Sequence, residues 1–386
     1  MKADEFKSSP SGRLIPVSGA MAFVPNPLPP PNLDMRNMMM EIERATHAVG
    51  ELSGIGRALP NPHLLIRPFS RAEAIASSKI EGTVTTLPEL LVLEASPDKV
   101  KSREDTKEVR NYTWALEHGL KRIPELPLSK RLIREIHAVL LHDVSPERGA
   151  QIKPGEFKTD QNWIGARLIQ NARYVPPPPT EAINALDDLE KYIHGNDKIP
   201  LLVRLALIHY QFEAIHPFPD GNGRVGRLLI PLILCENGVM SQPLLYVSSY
   251  FERNYDKYID LMLEVSRSGA WEPWISFFLE AIEHSCQRAM KKSHALQDLH
   301  RNYFSKIQSA RSSALLGSLV DELFNIPAIT IPHAMAKMKI TYNSAKNNIQ
   351  RLIDLEIISP HPIGGSWPAR PQWFFADEIM KIVDTP

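Results

Sequence analysis

The sequence predicts a mainly α-helical protein with one β-hairpin in its middle and a winged helix-turn-helix module at its C-terminus. Three observations carry that expectation. Apolar residues recur three and four apart through most of the 386 residues, in segments bounded by capping and stop signals. One long polar stretch, GEFKTDQNWIGARLIQNARYVPPPP from Gly155, interrupts them and carries hairpin signals between Asn162 and Val175. Beyond about residue 310 the order becomes helix, short helix, helix and hairpin, which is the order of a winged helix-turn-helix.

Composition narrows the field. Hydrophobic residues make up 43% and charged residues 23%, so each part of the chain can bury a core and wholesale disorder is excluded. Lys and Arg total 44, as do Asp and Glu, which leaves no net field to drive non-specific binding to nucleic acid or an acidic membrane; an anion site has to be local. Cys235 and Cys286 are the only cysteines, too few for a disulfide framework or a cysteine-based zinc site, and a reducing cytoplasm fits them. No apolar run approaches the roughly 18 residues of a membrane span. The stretch from Leu14 to Val24 is broken by Pro16 and Ser18, so neither export nor a membrane partner is expected.

Along the chain, the first helical pattern covers residues 33–59, with Met35, Met38, Met39, Ile42 and Ala45 on one face and Gly54 and Gly56 as its stop. Ser70, Arg71, Ala72 and Glu73 match a capping box, which predicts a short helix over about 70–82, closed by Gly82. Amphipathic helices are expected over 106–119 and 129–142. Thr180 is the expected cap of a helix over 181–194. The strongly apolar helix over 201–215 ends at His216, because Pro217 disfavours helical backbone in the residue before it. A second apolar helix covers about 224–236, and others follow over 255–266 and from Pro273 into the Arg301 region. In the C-terminal module, helices are expected up to Phe324, after Thr330 and over 341–355, before a hairpin over 357–375 with Gly364 and Gly365 at its centre. The expected boundaries are an N-terminal region over 1–105, a core over 106–290, a connecting helix over 291–309 and the module over 310–386.

The stretch that carries chemistry is His216-Pro217-Phe218-Pro219-Asp220-Gly221-Asn222-Gly223-Arg224-Val225-Gly226-Arg227. Lying between two helices, it lets its glycines bring backbone close to a ligand, and the N–H groups of the second helix's first turn make an anion seat suited to phosphate. Arg224 and Arg227, three apart, share a helix face and add two guanidinium forks. Asp220 suits a magnesium ion, which prefers one or two carboxylates plus substrate oxygens. His216, at the end of a rigid helix, is placed to take a proton from an attacking hydroxyl. Together these parts describe nucleotidyl or phosphoryl transfer.

That string matches the HxFx(D/E)GNGRxxR signature at every specified position, and the chain thereby resembles the Fic family. EFKTDQNWIG with RYVPPPP resembles the family's flap, a hairpin that docks a target side chain through Trp163, Ile164 and Gly165. Ser77, Glu81 and Gly82 look like the family's inhibitory motif, (S/T)xxxE(G/N), in the class where an N-terminal helix carries it. The resemblance covers nearly the whole chain and implies AMP transfer from ATP, with Mg2+, to a Ser, Thr or Tyr hydroxyl of a target protein, itself included among the candidates.

Under the resemblance, His216 is the general base and Asp220 the metal ligand. Gly221, Asn222, Gly223 and Gly226 belong to the ATP seat, Asn222 offering a side-chain amide to the phosphates. Arg224 neutralises phosphate charge, and Arg227 fixes the γ-phosphate. Gly223 stands where Doc-type kinases carry Lys, which favours AMP transfer over phosphate transfer. A carboxylate in the last turn of a helix is disfavoured by roughly 0.3–1 kcal/mol, so Glu81 needs a cation, and the resemblance assigns it Arg227, at the expense of the γ-phosphate. Asn254 or Tyr258 is the expected base contact. Relatives form homodimers, so a homodimer is also implied.

Residues 291–386 hold 11 Lys and Arg against 8 Asp and Glu, a modest excess, and Lys346, Asn347, Asn348 and Arg351 are expected on the polar face of the module's third helix. DNA binding and protein docking remain alternatives for it. Two further readings stand beside the transferase: removal of AMP from a modified target by the same site, and a DNA-binding regulator that uses the core to sense nucleotide.

Overall fold

The chain opens with an element that the helical periodicity does not announce. In the computed structural model, which describes residues 1–58, 63–95, 104–144, 153–310, 314–361 and 372–384, β1 (Gly12–Val17) and β2 (Ala20–Pro25) form an antiparallel hairpin. Pro16 is tolerated because a two-stranded sheet has only edges, where a missing N–H need not break the ladder.

α1 (Met39–Ala58) follows a single 3-10 turn. Gly54 and Gly56 lie inside it and do not end it: Gly56 admits Leu244, whose Cδ1 would stand 2.9 Å from an added Cβ. α2 (His63–Ile80) begins well upstream of the expected start. Ser70 is interior, its hydroxyl donating back to the Arg67 carbonyl at 3.0 Å, and Glu73 is buried against Tyr112 and Ser248. The apparent capping box is therefore not a cap; its Glu is spent on the core.

α3 (Leu87–Ala95), α4 (Glu104–Arg122) and α5 (Lys130–Leu140) come next, α5 capped by the Ser129 hydroxyl. α6 (Pro179–His194) starts on a proline, whose fixed φ replaces the cap expected from Thr180. α7 (Leu201–Ile215) and α8 (Asn222–Glu236) are almost wholly buried and pack together. α9 (Ser248–Arg253), α10 (Tyr255–Ser268) and α11 (Trp271–Ser309) complete the body. α11 has 39 residues, about 58 Å at 1.5 Å per residue, and the boundary expected at 290 falls inside it without a break.

The C-terminal part contains α12 (Ala314–Asn325), β3 (Ala328–Ile329), α13 (Ile331–Met338), α14 (Tyr342–Asp354), β4 (Ser359–Pro360), β5 (Phe374–Phe375) and an unexpected α15 (Asp377–Asp384). The strands pair antiparallel in the order β3-β5-β4. Gly364 and Gly365 lie outside the described residues. Lys346, Asn347 and Arg351 are exposed on α14, whereas Asn348 is buried with its amide on the Ser344 carbonyl at 2.9 Å, so it does not belong to the polar face.

One apolar core runs from Phe6 to Val383 and takes in both parts of the chain. α2 sits at its centre, touching α4, α8, α9, α11, α12 and α15. Buried Arg71 on α2 pairs with Glu94 at 2.6 Å and donates to the Asn325 carbonyl, the last of α12, at 2.6 Å. Among the described residues no helix is long and apolar enough to cross a membrane.

Candidate active site

α7 stops where Pro217 forces it to, and His216 becomes its C-cap in left-handed backbone, φ 49° and ψ 59°. Such a conformation costs a non-glycine residue about 1–3 kcal/mol and persists only where its surroundings impose it. The ring is oriented by Nδ1, 3.3 Å from the Glu213 carbonyl; as Nδ1–H donates there, Nε2 keeps its lone pair, and among the described residues it has no partner. Burial, aided by the charge of Lys158, lowers the imidazole pKa to about 4, so the ring is a neutral base at pH 7.

The loop that follows is closed from within. Asn222 accepts from Phe218 N–H at 2.8 Å and donates to the Phe218 carbonyl at 2.8 Å. Its amide is thus committed to the loop and not offered to a phosphate. Gly221, at φ 76°, turns the chain into α8, and the N–H groups of Asn222, Gly223 and Arg224 open that helix without intrahelical acceptors. Asp220 accepts from Gly221 N–H at 2.6 Å through one oxygen, while the other is 3.5 Å from Arg224. Its side chain is 38% exposed at the mouth of the loop. A lone, partly exposed carboxylate has the chemistry to hold a divalent cation alongside ligand oxygens, and no group of three potential metal-binding side chains occurs among the described residues.

Sequence reasoning missed His137. Its ring stacks on Phe218 at 3.8 Å, Nδ1 accepts from Gly155 N–H at 2.9 Å, and Nε2 donates to the Asp220 carbonyl at 3.1 Å. The side chain therefore pins the loop to the polar stretch. In the sequence it is one polar residue on an apolar helical face, a pattern that does not name a partner.

The two arginines are fully buried and each has a dedicated acid. Arg224 donates to Glu108 on α4 at 2.8 Å, a partner that no sequence pattern identifies. Arg227 donates through Nε to the Ser77 hydroxyl at 2.8 Å and through Nη2 to the Ser77 carbonyl at 2.9 Å and to Glu81 Oε1 at 2.7 Å. Burial opposes its charge, but the Glu81 carboxylate more than compensates, and its pKa lies above the ordinary guanidinium value. A Cβ on Gly223 would collide with the Glu81 carboxylate, so glycine is what allows the pair to close. Gly82, at φ 82°, terminates α2 directly after Glu81.

A cavity opens beside these groups, lined by Glu81, His216, Gly223, Arg227, Tyr255 and Tyr258 with an apolar wall from α10. Glu213 reaches it with a buried Oε1 that has no hydrogen bond, its carboxyl pushed up to about 8 by burial. Asn254 is not in the lining; its amide donates to the Tyr250 carbonyl at 2.9 Å. Across the cavity, Ile164 and Tyr174 form a single antiparallel bridge, narrower than the expected hairpin. Trp163 is 39% exposed and Gly165 has φ 85°. The structure thus brings Ser77, Glu81, His216, Asp220, Gly221, Asn222, Gly223, Arg224 and Arg227 together around one loop, with Gly226 one turn behind it against Phe212 and Glu213.

The Fic/DOC family N-terminal profile matches residues 39–121 and the Fic/DOC family profile matches residues 127–234. The chain belongs to the Fic/DOC family. It is 29% identical over 198 residues to a probable protein adenylyltransferase of Aquifex aeolicus, covering 51% of this chain and 55% of that protein. It is 30% identical over 157 residues to the protein adenylyltransferase Fic of Aedes aegypti, covering 40% of this chain and 27% of that one. The match to these curated relatives thus spans about half of their length or less. In fold, it is similar to a Fic family protein from Desulfovibrio desulfuricans G20, with a TM-score of 0.55 at 19% identity, covering 90% of this chain and 98% of the other. A Fic domain-containing signalling protein from Bacteroides thetaiotaomicron gives a TM-score of 0.53 at 21% identity, over 66% and 97%.

Proposed function

We propose that this chain is a protein adenylyltransferase restrained by its own Glu81. The observation that carries the reading is an imidazole with a free Nε2 beside an unsatisfied helix N-terminus and a buried arginine that a carboxylate already occupies. The target hydroxyl oxygen attacks the α-phosphorus of ATP, the bond to the pyrophosphate oxygen breaks, and His216 Nε2 takes the hydroxyl proton. The N–H groups of Asn222, Gly223 and Arg224 hold phosphate oxygens, and Arg227 is the anchor for the terminal phosphate. Asp220 would hold magnesium, which supplies charge neutralisation between the phosphates. Glu81 keeps Arg227 from the terminal phosphate, so ATP lacks its productive pose until the pair opens.

The stretch around the Ile164–Tyr174 bridge serves as the flap for the target segment, and the order of α12 to β5 suits a winged helix-turn-helix. Transfer of label from α-labelled ATP to protein tests the reading: Glu81→Gly should label itself or a lysate protein more than the parent, and His216→Ala should not label at all. Absence of label in every variant would favour a nucleotide sensor.

A further inference from the structure

We infer that Lys158 and Asn162, at the base of the flap, are positioning residues that hold the backbone of His216 in its left-handed turn, so that alignment of the base depends on the order of the flap. The inference rests on the adenylyltransferase reading for its kinetic consequence and on geometry for its substance.

Five successive carbonyls, from the last turn of α7 into the loop that follows it, are taken by flap residues. The Tyr174 hydroxyl donates to Ala214 O at 3.0 Å, and Lys158 Nζ to Ile215 O at 3.4 Å. Asn162 Nδ2 donates to His216 O at 3.2 Å and to Phe218 O at 3.0 Å, and Lys158 N–H donates to Pro217 O at 2.9 Å. Lys158 Nζ also donates to Asn162 Oδ1 at 2.8 Å, which locks the two side chains to each other. Lys158 is 5% exposed, and among the described residues no carboxylate lies within ion-pair distance of it. A buried ammonium held only by carbonyl and amide oxygens is costly, and an apolar residue would pack there at less expense. Its geometry explains it: the ammonium spans from the flap to the last carbonyl of α7.

Two residues beyond Asn162, Ile164 exchanges hydrogen bonds with Tyr174 and Arg173. A target segment that adds to this edge orders the same backbone that carries Asn162 and Tyr174. Docking and base alignment are thereby one event, and a mispositioned imidazole costs rate without costing ATP affinity.

The test uses the full-length chain in the Glu81→Gly background. Asn162→Asp keeps the acceptor for Lys158 and loses both donors to the His216 turn; it should lower kcat for AMP transfer about 10- to 100-fold, as displacements near 1 Å do, with the KM for ATP unchanged. Lys158→Met should do likewise, while Lys158→Arg restores most of the rate. Tyr174→Phe, which removes one hydroxyl and leaves the ring, should cause a smaller kcat loss and covers the case that a larger change unfolds the protein. In parallel, the His216 ring resonance in a carbon-labelled sample should move in Asn162→Asp. Unchanged kcat together with an unmoved resonance would overturn the inference. Should the parent itself transfer no AMP, the functional reading fails and the resonance alone decides the positioning role.

Discussion

Ser77 and Arg227 are joined twice, hydroxyl to Nε and carbonyl to Nη2, so the guanidinium that Glu81 occupies is also the anchor of the helix bearing Glu81. Removal of the carboxylate leaves α2 docked and opens only the direction toward the cavity. A hydrogen bond to a charged group is worth about 1.5–3 kcal/mol, so Glu81→Gly should raise AMP transfer on the order of 10- to 100-fold. It should also enlarge the thermal shift given by ATP, because phosphate replaces a lost partner. Initial rates and melting curves with and without nucleotide check both.

Ser77→Ala separates anchoring of Arg227 from the proposed restraint by Glu81. Arg227 Nε loses its acceptor in a dry site, which should lower stability by about 1–3 kcal/mol and raise transfer less than Glu81→Gly does. Urea unfolding of the two variants side by side reads the difference.

Glu108→Gln leaves Arg224 buried without its main counter-charge. Breaking one side of a buried pair costs about 3–5 kcal/mol. The variant should be less stable without nucleotide, and ATP should recover part of the loss through its phosphates; a denaturation midpoint that ATP does not move would contradict a phosphate role for Arg224.

Acid should weaken the fold in a predictable interval. Burial lowers the pKa of His137 and His216 to about 4 and that of His209 to about 3. Unfolded histidine titrates near 6.5, so the unfolded chain gains protons first as pH falls. The stabilising contribution is complete above about pH 6.5 and is lost toward pH 4, several kcal/mol in all. Glu213, pushed up to about 8 by burial, has the opposite sign: its contribution is lost as pH rises from about 4.5 toward 8. Urea midpoints across pH 4.5 to 8.5 should show both limbs, Glu213→Gln should flatten the alkaline one, and AMP transfer should show no His216 titration between pH 6 and 7.5.

The Ser77–Glu81 pair and its partner Arg227 came from the family resemblance, whereas the loop from His216 to Arg227 was legible because it is a contiguous string whose spacing fixes a helix end and a helix face. Glu108, His137 and Lys158 were not, since periodicity says which side of a helix is buried and is silent about the polar atom that a buried side chain will meet. The family resemblance sends the Asn222 amide to phosphate; folding turns it inward because Phe218 N–H and carbonyl need partners once the loop is dry. Ser70 and Glu73 spell a cap yet sit mid-helix, since Glu73 finds Tyr112 and Ser248 at a distance in sequence that no local rule spans. The N-terminal hairpin escaped notice for a related reason: its strands are stabilised by Phe23 against the body, far from their own neighbours in sequence.

Arg71 reaches from α2 to the last carbonyl of α12, and α12 is carried on the unbroken α11. A shortened protein ending near residue 309 would strip that wall from the helix that bears Glu81 and expose its apolar side to water. Trimming the tail therefore also disturbs the packing behind the Glu81–Arg227 pair, so a full-length and a truncated version differ at the cavity as well as at the C-terminus.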